Sequence, residues 1–156
     1  MKKIHLPPAL QVTLYCLMAS FVTYGLMSKL ILRYAVTADE SGVIQSVNDR
    51  AVLLLYAGLF VAALFLGGLL FFRRLTRREL LLSAGVAAAA ELALFLISCW
   101  TNRGSSLALS AEYYLMSLPG WSTFIALVLY HLSKSALLAC LVRCLAPFCF
   151  LLFGRE

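Results

Sequence analysis

The chain has 156 residues, of which 63% are hydrophobic and 13% charged, and its formal net charge is +6. Soluble domains carry about a quarter charged residues, so a water-bathed globular domain is excluded and lipid is the expected solvent for most of the chain. The basic residues flank apolar runs, which points to membrane topology and anionic headgroups as partners, not to nucleic acid.

Lys2 and Lys3 precede a first apolar run over residues 9–32. A bilayer core needs roughly 20 apolar residues at about 1.5 Å of rise each, so this run is long enough to cross. It is too long for a signal sequence and ends at Arg33 without a small-residue cleavage site, so a retained helix is expected. Residues 33–50 then form an outer loop whose acids, Asp39, Glu40 and Asp49, show no metal-loop spacing and read as solvated charge.

Residues 51–72 form the second expected span. Gly58 and Ala62 are four apart, as are Ala63 and Gly67, a spacing that lets helix backbones approach closely. The connection 73–79 is short and holds Arg73, Arg74, Arg77 and Arg78, which leaves no room for an inner domain. The third span, 80–100, carries small residues including Ala84, Ala87 and Ala88, followed by Glu91 near its middle.

The second outer loop, 101–120, places Leu107, Tyr114 and Leu118 at helical spacing between Trp100 and Trp121. A short helix lying in the interface fits that pattern. The fourth span is expected over 121–142, and the tail 143–156, broken by Pro147, is expected to lie along the inner surface. Helix is the default for all four runs, because only a helix pairs its own backbone groups in lipid.

Orientation follows from Lys and Arg. Lys2, Lys3, Arg73, Arg74, Arg77, Arg78, Arg143 and Arg155 fall on one side, and Arg33, Arg50 and Arg103 on the other. The expectation is an all-α integral protein of the plasma membrane, a four-helix bundle in one domain with both termini cytoplasmic. Arg143 is read as a boundary residue reaching for headgroup phosphates.

Cysteine spacing offers little chemistry. Cys16, Cys140, Cys144 and Cys149 fall in or beside spans and only Cys99 nears the outer face, so no outer disulfide framework is available. No His, Asp or Glu accompanies the inner cysteines, and neither a metal nor a cofactor is expected. Ser133 and Lys134 are adjacent, about 100° apart on a helix, and cannot form a nucleophile–base pair by themselves. No phosphate-binding loop, haem motif or dinucleotide fingerprint is present, no catalytic residue is assigned, and the motifs identify no family.

One feature stands out within the apolar runs. Glu91 and His131 are each near the middle of an expected span, and His131, Lys134 and Ser135 share one helix face. An uncompensated charge at mid-bilayer costs on the order of 3 kcal/mol, so Glu91 is expected to meet Lys134, with His131 as a second hydrogen-bonding group. Two functions start from that cluster. The expected function is that of a subunit or accessory, regulatory component of a larger membrane assembly, as a homo- or hetero-oligomer whose association the cluster fixes; the alternative is a small proton-linked channel or transporter using Glu91 and His131, with an intramembrane enzyme ranked behind both. Water access to Glu91 separates the two.

Overall fold

A computed structural model describes residues 7–38, 44–101, 106–117 and 120–155. Lys2, Lys3, Asp39, Glu40 and Arg103, invoked above for charge placement, lie outside the described residues. Among the described residues, four helices are long and apolar enough to cross a membrane: Ala9–Tyr34, Asp49–Phe72, Arg77–Thr101 and Ala136–Phe153. The first three follow the expected runs. The fourth does not.

Helix α1 (Pro8–Tyr34) starts on a proline at its first position, where no intrahelical donor is lost. A hairpin of two short antiparallel strands, β1 (Val36–Ala38) and β2 (Ile44–Val47), follows, with Val36 opposite Val47 and Thr37 opposite Ser46. Helix α2 (Asp49–Leu66) is capped by Asn48, whose Oδ1 accepts from the Arg50 and Ala51 backbone N–H groups at 3.1 and 3.2 Å. It continues as a wider π-turn over Gly67–Phe72.

The loop to α3 (Arg77–Thr101) closes with a capping box. The Glu79 carboxylate accepts from Thr76 N–H at 2.9 Å, and Thr76 Oγ1 accepts from Glu79 N–H at 3.3 Å. The end of the described chain returns to this loop: Arg77 N–H donates to the Arg155 carbonyl and Arg155 N–H to the Leu75 carbonyl. Exposed Arg73, Arg74, Arg77, Arg78 and Arg155 therefore crowd one end of the bundle, here the arginine end. The strand hairpin marks the opposite, loop end.

Helix α1 packs along α3, and Ser83 joins them by accepting from Val12 N–H and donating to the Ala9 carbonyl, both at 3.0 Å. Ser83, Ala84 and Ala87 are buried, as close approach of two helices requires, whereas Ala88 is only partly buried. The two small pairs of α2 separate. Ala63 and Gly67 face inward, and a Cβ on Gly67 would stand 2.7 Å from the Tyr15 ring; Gly58 and Ala62 face outward.

The chain from residue 107 onward departs from the expected single span. Helix α4 (Leu107–Ser117) packs on α3 and on α6 (Ala136–Cys144), with Ser110, Ala111, Tyr114 and Leu115 buried. It is a limb of the bundle, not a helix laid across its end. Trp121 then stacks on Phe60 and Phe150 in the core, and α5 (Thr123–Ser133) runs back to the loop end, where His131 faces Ile31 and Asp49. Helices α4 and α5 thus both reach mid-height from the loop end. The ten steps from Trp121 to His131 rise about 15 Å, against about 16 Å for the eleven from Ser20 to Ile31 on α1.

The run 121–142 is broken at Ser133-Lys134-Ser135. Lys134 has φ 53°, the left-handed conformation that ends helices, and its N–H donates to the Tyr130 carbonyl. Ser135 then caps α6 by accepting from Leu138 N–H at 3.4 Å. The fourth crossing is α6 continued by a 3-10 helix, Ala146–Phe153. The tail expected on the surface is therefore inside: Phe150 is fully buried against Tyr15, Phe72 and Trp121.

Candidate functional site

The register of the fourth crossing decides which polar groups meet. With the crossing at Ala136–Phe153, Arg143 falls near its middle and is only 4% exposed. The expectation that it reaches headgroups at a boundary is corrected accordingly. Its guanidinium lies 5.2 Å from the centre of the Tyr114 ring, a cation–π arrangement. A Cβ on Gly120 would stand 3.0 Å from Arg143 Nη2 and 2.8 Å from Ser20 Oγ, so the bare backbone of Gly120 is what admits the arginine.

Glu91 sits in the middle of α3 as expected, but its neighbour is Arg143. Both line a cavity of about 480 Å³ between α1, α3 and α4, together with Thr13, Cys16, Ser20 and Tyr114. Glu91 Oε2 and Thr13 Oγ1 are buried there and make no hydrogen bond. Toward the outside the walls turn apolar: Leu17, Phe21, Tyr24 and Leu94 line the cavity and are also exposed on the bundle's flank. The mouth opens sideways.

His131 and Lys134 are exposed at the loop end, and Ser135 is half-buried as the cap of α6. The structure therefore does not bring Lys134, His131 and Ser135 to Glu91. His131 instead lines a second cavity, of about 340 Å³, with Asp49, Glu112, Tyr56 and Tyr130. Tyr130 Oη donates to the Glu112 carboxylate at 3.3 Å. Tyr56 lines this second cavity and Arg143 the first.

Below the first cavity the bundle is closed by rings. Tyr15 meets Phe71, Phe72 and Phe150 at centroid distances of 5.5, 5.3 and 5.6 Å, and Phe150 meets Trp121 at 5.2 Å. Tyr15 Oη donates to the Ala63 carbonyl at 2.6 Å, which fixes the ring in the plug. All five cysteines are free thiols, and Cys140 Sγ–H donates to the Ala111 carbonyl at 3.5 Å. Cys16 borders the first cavity.

Sequence reasoning missed Arg143, Tyr114, Ser20 and Gly120 as members of one site. Two signals pointed there: Gly120 beside Trp121, and the Ser-Lys-Ser break that resets the register of everything after it. Comparisons with protein-family models, with curated proteins and with solved structures found no match.

Proposed function

We propose that this chain is a small proton-linked membrane transporter or channel in which Glu91 is the group that gains and loses the proton. One observation carries the reading. Glu91 lines a cavity large enough for water, and its Oε2 makes no hydrogen bond there. Asp49, Glu112 and His131 line the second cavity, at the loop end. The aromatic plug closes the arginine end. A polar chamber beside a seal is an arrangement that a carrier would need.

By the distribution of Arg, the arginine end is assigned to the cytoplasm, in the plasma membrane. The test is proton flux into liposomes under an imposed pH gradient. Wild-type protein should give flux above background and Glu91→Gln, shown to be folded, should not; background flux in both would remove the reading.

Docking to a larger membrane assembly, or to a second copy, is the alternative role. Gly58 and Ala62 favour it, because that small notch faces outward beside exposed Leu54, Val61 and Phe65. It does not use Glu91. Replacing Gly58 and Ala62 by leucine would separate the roles: an assembly would dissociate, while flux through a self-sufficient chain would persist.

A further inference from the structure

We infer that the Glu91–Arg143 cavity takes up a single-chain amphiphile with a carboxylate head, together with one proton. The inference rests on the proposed transport role and names what that cavity would hold.

The shape points to a ligand with two unlike ends. At the buried end stand a guanidinium, a carboxylate and the hydroxyls of Thr13 and Ser20. At the mouth stand Leu17, Phe21 and Leu94, which are 56%, 77% and 46% exposed on the flank that a bilayer would cover. Access along the bundle axis from the arginine end is blocked by Tyr15, Phe72, Phe150 and Trp121. A molecule with an alkyl chain can keep that chain between Leu17, Phe21 and Leu94 while its head passes inward to Arg143. A wholly polar solute would have to cross apolar side chains to arrive at the same place.

The charges select the head group. Arginine presents five N–H donors in a fork that fits a carboxylate, and the Tyr114 ring orients that fork. With Glu91 ionised and Arg143 charged, the empty cavity is neutral. A carboxylate arriving alone would leave one net negative charge in a low-dielectric site, a costly state in lipid. Protonation of Glu91 restores neutrality and turns its oxygen into a donor toward the bound head. One carboxylate and one proton therefore arrive together, with no bond made or broken in either.

Other groups around Glu91 do not supply that proton balance. The thiol of Cys16 and the phenols of Tyr24 and Tyr114 line the same cavity, the thiol of Cys144 follows Arg143 on α6, and Arg143 is the one cation facing the cavity among the described residues.

The test measures saturable binding of radiolabelled dodecanoate to the purified protein, with dodecylphosphocholine and dodecyltrimethylammonium as competitors, and proton uptake by an indicator dye in weak buffer. Wild type should bind dodecanoate and take up about one proton per molecule bound, and neither competitor should displace it. Arg143→Gln should weaken binding about tenfold or more. Ala90→Trp should also block it, and because Ala90 is exposed at the mouth that substitution leaves the core unaltered. Glu91→Gln should still bind but without proton uptake. Displacement by the zwitterion, or unchanged proton uptake in Glu91→Gln, would overturn the inference.

Failure of the two readings can be told apart. Glu91-dependent flux in liposomes without dodecanoate binding sinks the ligand assignment and leaves transport standing. Dodecanoate binding with proton uptake but no flux does the reverse, and makes the cavity a receptor site.

Discussion

The two halves of the bundle use the same apolar alphabet for opposite ends. Toward the arginine end, Val12, Phe72, Leu80, Trp121, Ala146 and Phe150 form one buried cluster in which ring meets ring. Toward the loop end, a second cluster around Phe95, Ala111, Tyr114 and Cys140 leaves two cavities beside it, and the buried and cavity-facing charges among the described residues are there. The difference is one of filler. A network of five rings around Phe150 closes the first half, whereas the second half holds the Phe95–Tyr114 pair and leaves space lined by small and polar residues beside it. A seal and a chamber in series require both.

That contrast can be broken from the sealed side with the largest effect. Phe150→Ala removes a ring shared by Tyr15, Phe72 and Trp121 and should destabilise the protein by about 3 kcal/mol, read as a shift in unfolding midpoint in mixed micelles. The matching truncation in the open half, Leu94→Ala, should cost under about 1 kcal/mol, since Leu94 already borders empty space. Equal costs would mean that the halves are not packed differently.

Gly67→Ala should come next. Its Cβ would stand 2.7 Å from the Tyr15 ring and 2.8 Å from the Phe150 ring, an overpacking that costs about 1 to 3 kcal/mol, again by unfolding midpoint. The same substitution at Gly25, where nothing lies within 4 Å, should be neutral or slightly stabilising.

The smallest effects belong to the break that sets the chamber's register. Ser135→Ala removes the cap of α6 and should cost about 1 kcal/mol. Lys134→Gly relieves a left-handed lysine and should stabilise by up to about 1 kcal/mol. A destabilised Lys134→Gly would show that the exposed side chain contributes something beyond the turn.

Much of this architecture was legible in the sequence, and the reason for the remainder is specific. Run length located α1, α2 and α3, because each is bounded by charged or turn-forming residues. The arginine clusters located one end. The fourth crossing was misplaced because apolar residues continue on both sides of Ser133-Lys134-Ser135, so no change in hydropathy marks the turn. The true break is conformational, one residue at positive φ followed by a serine cap.

That single turn carries the misreading of the site. It moves the midpoint of the fourth crossing from around residue 131 to around residue 144, which replaces His131 by Arg143 beside Glu91. Glu91 itself was placed correctly, since α3 begins and ends where its run does. The inward burial of the tail was unreadable for the same reason: an apolar tail after a finished span lies on the surface, whereas after half a span it must complete the crossing.

The change of winding at Leu145 sets how far the chain can reach. Nine α-helical residues rise about 13 Å, and eight in a 3-10 helix about 16 Å, so the shortest crossing still extends about 30 Å. Wound as α-helix throughout, it would stop several ångströms short of the point where Arg155 joins Leu75 and Arg77. The last eight residues of the crossing thus act as a drawn-out spring of fixed length, and deleting one of them would pull either the Arg155 clasp open or Arg143 away from Glu91.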